Sequence, residues 1–595
     1  MSDQHGDAAA SDESAVLGEN LQKLGAQWQR LFQAYMARLG DAERLPFDPA
    51  IVGNAFLRLS SQMLADPQRL AEAQMTLWRQ YAEFWQSAAT GHAADDAQAP
   101  TVTPDKGDRR FKDPGWNENQ VYDLLKRSYL ITSRWLQKTV AEVEGLDDDT
   151  RRKVDFYTRQ FVDAMSPSNF FHTNPEVIRT TLETHGENLV HGLENLIKDL
   201  EGGKGISQTD FDAYEVGRNV ATTPGKVVFQ NRLFQLIQYA PATPDVFALP
   251  LLICPPWINK YYILDLKPEN SFVAWAVAQG FTVFMISWVN PDASYASTSF
   301  EDYMNDGLLA AIGAALQAID QSKINVVGYC VGGTLLATTL AYLATKGDTR
   351  INTATFLTAL VDFEDAGELR VFIDEEQLKL LDEQMGETGV LDGRRMASAF
   401  NMMRANDLIW SFVVNNYLLG KDPIPFDLLF WNADGTNMPH AMHTFYLRNM
   451  YLRNLLSKPG GIEIAGVPID LGKIDLPTYV LATKEDHIAP WRSCYLLPQL
   501  IEGDKRFVLA QSGHVAGVVS APGKTKYGHW TNDALPENAE AWLAGARENA
   551  GSWWPDWAAW LVSHAGDKVA ARQPGAGALN AIEDAPGAYV KKAIA

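Results

Sequence analysis

Short, mostly apolar and β-rich runs recur through the later part of the chain: Leu251 to Cys254, Phe281 to Trp288, Ile324 to Val327, Thr353 to Val361, Thr478 to Thr483 and Arg506 to Ala510. Runs of this length without strict alternation suit strands buried on both faces, as in a parallel sheet. Helical periodicity takes over in Thr334 to Ala344, directly after one such run. The pattern predicts an α/β domain from about 207 to 565. Ahead of it the pattern is different. Met1 to Ala15 is polar, and Leu21, Leu24, Trp28, Leu31, Phe32, Tyr35 and Leu39 then recur at helical spacing, giving an apolar face suited to packing against a second helix over Arg69 to Ser87 or to adhesion to another surface. Thr90 to Lys106, rich in Ala, Asp, Pro and Thr, reads as a flexible linker that closes a first region at 106. Residues 107–206 read as mainly helical, and 566–595 as an Ala- and Gly-rich tail with no assigned role.

Candidate chemistry enters at Gly328-Tyr329-Cys330-Val331-Gly332, between the run ending at Val327 and the helical stretch. A strand, a sharp turn and a helix with a nucleophilic side chain at the turn form the nucleophile elbow of the α/β-hydrolase fold, with a thiol where a hydroxyl is more usual. Glycines on both sides admit the strained backbone. The competing reading is a small buried hydrophobe, since free cysteine is among the most buried residue types. Two further groups favour catalysis. Enzymes of this fold place the acid and then the histidine on loops after late strands, and Asp486 and His514 follow Thr478 to Thr483 and Arg506 to Ala510 in that order. Asp486 could instead cap a helix beginning near Pro490, and His514 could be an ordinary loop histidine. His487 competes with His514, but it lies beside the acid rather than after the next strand. His529, His440 and His443 have no comparable position.

A free thiol has a pKa of about 8.5, so a base must hold or generate its anion near neutrality. His514 would be that base, with Asp486 orienting the imidazole. An oxyanion hole would combine the Val331 N–H with one from the loop after Leu251 to Cys254. Pro255 and Pro256 have no N–H, which leaves Trp257 or Ile258.

Composition narrows the setting. With 51 basic and 73 acidic residues the chain carries a net charge of −22, which argues against a nucleic-acid partner. Its 3 cysteines, Cys254, Cys330 and Cys494, form no even disulfide framework and suit a reducing compartment. Cys254 and Cys494 read as packing residues, and neither has neighbours at metal-ligand spacing, so no metal or cofactor is expected. The N-terminus lacks the apolar segment of a signal peptide, and no run is long enough for a membrane helix, so a cytoplasmic location is expected.

Longer blocks carry a resemblance. Val216-Gly217-Arg218-Asn219 with Thr223 to Val228, Pro255 to Asp265, Gly328 to Gly333, Phe426-Asp427-Leu428-Leu429, Trp431-Asn432, Tyr446-Leu447-Arg448-Asn449, Asp486 to Trp491, Ser512-Gly513-His514 and Ser552-Trp553-Trp554-Pro555 resemble the class I polyhydroxyalkanoate synthases, in order and over most of the chain after about Arg109. The resemblance implies transfer of (R)-3-hydroxyacyl groups, 3-hydroxybutyryl above all, from coenzyme A to a growing polyester. Cys330, Asp486 and His514 match the family's triad, in which the aspartate has also been proposed to activate the attacking hydroxyl. It further implies a helical segment before the catalytic domain that supports dimerisation and granule attachment, a homodimer, and partners at the polyester granule surface, including granule-associated proteins. Coenzyme A is polyanionic, which makes Lys260, Arg404 and Arg448 candidate contacts, each equally able to be a paired structural cation.

Between the runs ending at Val361 and beginning at Thr478 lies an insertion of roughly 100 residues, about 362–470, too long for an ordinary loop. It reads as a cap that keeps water from an acyl-enzyme. It contains the acidic helix-like stretch Asp374 to Met385, and Trp410, Phe412, Tyr417, Phe426, Phe430 and Trp431. Most of these aromatics are core, with some, Trp431 among them, lining an acyl or polymer tunnel. Two other classes stay open: a cysteine-dependent hydrolase of an ester or lactone, and a granule scaffold without catalysis. The matched blocks outside the triad oppose the first, and the intact triad opposes the second.

Overall fold

The computed structural model describes residues 20, 23, 27, 30, 48–89, 102–203, 205–523 and 526–594. The polar tip, most of the apolar face Leu21 to Leu39 and most of the linker Thr90 to Lys106 lie outside the described residues. The chain forms two compact units, one of Met1–Asp210 with Ser398–Ile424 and one of Phe211–Ala397 with Pro425–Ala595. Among the described residues, no helix is long and apolar enough to cross a membrane.

The first unit is helical, with helices Pro49–Ala65, Pro67–Ala89, Gln120–Ala141, Asp148–Ala164, Pro175–Glu183 and Glu187–Gly202. Asp48, Asn119, Asp147 and Asn174 start four of these by accepting first-turn N–H groups, which satisfies donors that a helix leaves orphaned. Ala55, Leu59, Val140, Val143 and Val154 form one small core. The segment Ser398–Ile424, read from sequence as the middle of a single cap insertion, packs in this unit. Asn188 Nδ2 donates to Leu418 O at 2.7 Å and Tyr417 OH to Asp199 Oδ2 at 2.6 Å. A Cβ on Gly192 would lie 2.0 Å from Tyr417 O, so helix and segment touch backbone to backbone.

The second unit is built on one 11-stranded sheet. Its strands in chain order are β1 Gly225–Gln230, β2 Phe234–Tyr239, β3 Leu251–Cys254, β4 Val283–Trp288, β5 Ile324–Tyr329, β6 Ile351–Leu357, β7 Thr478–Thr483, β8 Lys505–Ala510, β9 His529–Thr531, β10 Arg547–Asn549 and β11 Glu583–Asp584. Across the sheet they run β10-β9-β8-β7-β6-β5-β3-β4-β2-β1-β11. Strands β3 to β8 run parallel to one another, and antiparallel strands flank them out to both edges. Every residue of β3, β4, β5 and β7 is buried, as their mostly apolar runs favour, with Ser287, Asn325, Thr478 and Thr483 buried among them. Register aligns Cys254 with Gly328, Tyr329 with Leu357, and Thr483 with Ala510. The carboxyl ends of β3, β5, β7 and β8 therefore open on one edge, where ligands bind in open α/β sheets.

The tail is part of this fold. β11 pairs with β1, and Lys568–Ala570 pairs with Asp245–Phe247. The block Ser552 to Pro555 is a packing device: the indole N–H groups of Trp553 and Trp554 donate to Gly517 O at 3.0 Å and Val518 O at 2.8 Å, holding the turn that follows His514.

Candidate active site

Cys330 sits between β5 and the helix Val331–Lys346 with φ +53° and ψ −124°, a strained conformation for a residue with a Cβ. Packing enforces it. A Cβ on Gly328 would lie 2.6 Å from Gly333 Cα, one on Gly332 would lie 2.3 Å from Cys254 O, and one on Gly333 would lie 2.4 Å from Ala359 Cβ. The turn is locked by Cys330 N donating to Leu357 O at 2.9 Å and Gly333 N to Cys330 O at 2.8 Å. Cys330 is partly exposed, while Cys254 and Cys494 are buried.

Asp486 lies just past β7 with its side chain wholly buried. One carboxylate oxygen accepts from Ile488 N at 2.9 Å and Ala489 N at 2.8 Å. The other accepts from Thr483 Oγ1 at 3.2 Å and faces His514 Nδ1 at 2.7 Å. Asp486 does not cap the helix Trp491–Cys494, whose N-cap position is Pro490 with no side-chain cap; the N–H groups from which it accepts belong to the turn before that helix. The two loops are tied together by Lys484 N donating to Ala510 O and Glu485 N to Ser512 O, both at 2.9 Å.

His514 is buried, and the Tyr329 ring stacks on its imidazole with centroids 5.7 Å apart. Burial pulls the imidazole down, but the Asp486 carboxylate hydrogen-bonded to it and Cys330 beside it reverse that pull and hold it well above its ordinary value. Asp486, His514 and Cys330 therefore form one chain of contacts. Tyr446 and Tyr451, 5.5 Å apart between rings, add two buried hydroxyls close to Cys330. Burial first and their polar neighbours second push both phenols up, so they stay protonated as donors. Sequence reading missed this pair, although Tyr446 lies in a recognised block.

The remaining predicted residues separate. Val331 opens the elbow helix. Trp257 is buried against Trp288 and Tyr303, and its carbonyl accepts from Thr436 Oγ1. Among the described residues, the N–H groups of Val331, Trp257 and Ile258 donate to no backbone carbonyl, as an oxyanion site requires. Lys260 is buried in a 2.7 Å ion pair with Asp434, and Trp431 donates its indole N–H to Lys260 O at 2.7 Å. Arg448 pairs with Asp382 at 3.5 Å and Glu375 at 3.7 Å. Arg404 belongs to the first unit and pairs with Asp407 at 2.5 Å. His487 is not in the contact chain, His529 Nδ1 bonds Gly551 O at 3.0 Å, and His440 bonds Asp382 at 2.7 Å.

The strand order, with a cysteine at the turn between β5 and its helix, defines an α/β-hydrolase-fold protein, and a profile for the alpha/beta hydrolase fold matches residues 250–521. A second profile, described as the N-terminus of poly-beta-hydroxybutyrate polymerase (PhaC), matches residues 107–276. The chain is 50% identical over 538 residues to a poly(3-hydroxyalkanoate) polymerase of Methylorubrum extorquens, covering 90% of this chain and 89% of the relative. It is 48% identical over 531 residues to the poly(3-hydroxyalkanoate) polymerase subunit PhaC of Cupriavidus necator, covering 88% and 89%. The chain belongs to the poly(3-hydroxyalkanoate) polymerase family, a family of transferases.

Proposed function

We propose that this chain polymerises (R)-3-hydroxyacyl coenzyme A, with 3-hydroxybutyryl as the acyl group, into a polyester through acyl-thioester intermediates on Cys330. The observation that carries the reading is the contact chain from Asp486 through His514 to a cysteine on a strained elbow, in a chain half-identical to a named polymerase.

The Cys330 sulfur attacks the substrate thioester carbonyl, and the N–H groups of Val331 and of the loop at Trp257 and Ile258 receive the developing oxyanion. The carbon–sulfur bond to coenzyme A breaks and its thiol leaves with a proton from His514. Exchange of one thioester for another is nearly balanced in free energy, so the bound acyl group stays activated. The hydroxyl of the next monomer or chain end then loses its proton to His514 and attacks the acyl-Cys330 carbon, forming an ester and releasing Cys330. Asp486 orients the imidazole and compensates its charge, and its nearness leaves it able to assist deprotonation of the hydroxyl. The protonated hydroxyls of Tyr446 and Tyr451 suit binding of acyl oxygen atoms.

A long polyester is insoluble, so the enzyme works at the surface of a growing granule in the cytoplasm, as a homodimer alongside granule-associated proteins. Exposed Met75, Trp78 and Trp85 on Pro67–Ala89 support contact with an apolar surface. Incubation of the purified chain with (R)-3-hydroxybutyryl coenzyme A, following free thiol and insoluble product, tests the reading. Thiol release with insoluble polyester, lost in Cys330→Ala, is expected. Thiol release with only free hydroxy acid would instead make the enzyme a hydrolase.

A further inference from the structure

The loop after β3 has two prolines and no partner strand of its own, yet a segment of the second unit grips it residue by residue. Thr436 Oγ1 donates to Trp257 O, and Thr436 N donates to Ile258 O at 3.1 Å. Asn259 Nδ2 donates to Asn432 O at 3.3 Å, and Trp431 Nε1 to Lys260 O at 2.7 Å. Asp434 then takes Lys260 Nζ on one oxygen at 2.7 Å and the Tyr262 hydroxyl on the other at 2.8 Å. Lys260 is 7% exposed, and its charge is already matched by Asp434, which removes the main reason to assign it to a coenzyme A phosphate.

These contacts orient one peptide. In a trans peptide the carbonyl and the following N–H point in opposite directions. Thr436 holds the Trp257 carbonyl, so the Ile258 N–H is turned away from Thr436. The start of the elbow helix lies beside this loop, since a Cβ on Gly332 would meet Pro255 O at 2.8 Å.

We propose that Thr436 and the Lys260–Asp434 pair are positioning residues for acyl transfer: they fix the Trp257–Ile258 peptide so that the Ile258 N–H, not that of Trp257, completes the oxyanion hole with Val331. The inference rests on the reading of Cys330 as the acylated nucleophile. It makes the segment Trp431 to Thr436 a support for the transition state rather than part of a substrate tunnel, because oxyanion donors act only when held in place before reaction.

The test compares full-length Thr436→Val, Thr436→Ser and Asp434→Asn. Two readouts are taken: kcat and KM for thiol release from (R)-3-hydroxybutyryl coenzyme A, and the rate at which iodoacetamide alkylates Cys330, located by peptide mass. Alkylation displaces iodide at a saturated carbon and needs no oxyanion hole. Thr436→Val is expected to lower kcat by about 10- to 100-fold, with KM and alkylation each within about 2-fold of the parent, and Thr436→Ser to recover most of kcat. Asp434→Asn gives the same pattern and stands in if Thr436→Val does not fold. Full kcat in Thr436→Val, alkylation falling in step with kcat, or Thr436→Ser as impaired as Thr436→Val would each overturn the positioning role. An active Cys330→Ala would instead remove the reading beneath it.

Discussion

His514 Nδ1 meets Asp486 Oδ2 at 2.7 Å while the other Asp486 oxygen is occupied by the N–H groups of Ile488 and Ala489. The carboxylate is thus fixed by its own turn before it acts on the imidazole. Against the downward pull of burial, this pair and Cys330 raise the His514 imidazole. Its folded value lies above its unfolded one, so the stability it contributes is complete below about pH 6.5 and fades as pH rises through the raised value.

Asp486→Asn removes that charge while keeping the size of the side chain. The His514 titration midpoint, followed by the imidazole C–H resonance, is expected to move down, and kcat to fall on the order of 100-fold or more. An unchanged midpoint would mean that the pair does not set the imidazole's charge.

Gly332→Ala should damage both fold and activity. The added methyl would lie 2.3 Å from Cys254 O and 2.8 Å from Pro255 O, both backbone atoms that cannot swing aside. A loss of about 2 kcal/mol or more in urea unfolding is expected, in the range of overpacked sites. Stability within about 0.5 kcal/mol of the parent would show that the elbow has room to relax.

His443 supplies an acid-sensitive element away from the triad. It is buried, neither ring nitrogen has a hydrogen-bond partner among the described residues, and burial lowers its pKa to about 4. A depressed folded value means that stability present above about pH 6.5 is lost as pH falls toward 4, on the order of 3 kcal/mol. His443→Leu should flatten the stability curve over that interval. Parallel curves for the two proteins would contradict the assignment.

The tail should matter for stability despite its composition. Ile582 N and Ala585 N donate to Val227 O at 2.8 Å and Gly225 O at 3.0 Å, and Gln235 Oε1 accepts from Ala588 N and Tyr589 N, both at 3.0 Å. Ending the chain at Asn580 bares the edge of β1, where exposed strands template aggregation. A melting temperature lower by roughly 5 °C or more, with concentration-dependent aggregation, is expected. A chain that melts unchanged would show that β11 only decorates the edge.

The sheet was readable because its central strands are buried on both faces, which leaves mostly apolar runs such as Val283 to Trp288, interrupted only by Ser287. Cys330, Asp486 and His514 were readable because strand order places them on loops at one edge. Other features had no local signal. Trp410, Phe412 and Tyr417 show that their segment is packed but not against what, and the structure groups them with the N-terminal helices. Lys260 shows its charge, while its partner Asp434 is distant in sequence. β11 has only 2 residues, too short for any periodicity, and hid in an Ala- and Gly-rich tail.

The central claim is that Cys330 carries the growing acyl chain, and the most direct measurement is the mass of the Cys330 peptide after rapid mixing with (R)-3-hydroxybutyryl coenzyme A and acid quench. The predicted result is one or more 3-hydroxybutyryl units attached to Cys330, accumulating within the first turnover and greatly slowed in His514→Gln. An unmodified Cys330 while polymer forms, or acyl groups attached at another residue, would contradict it.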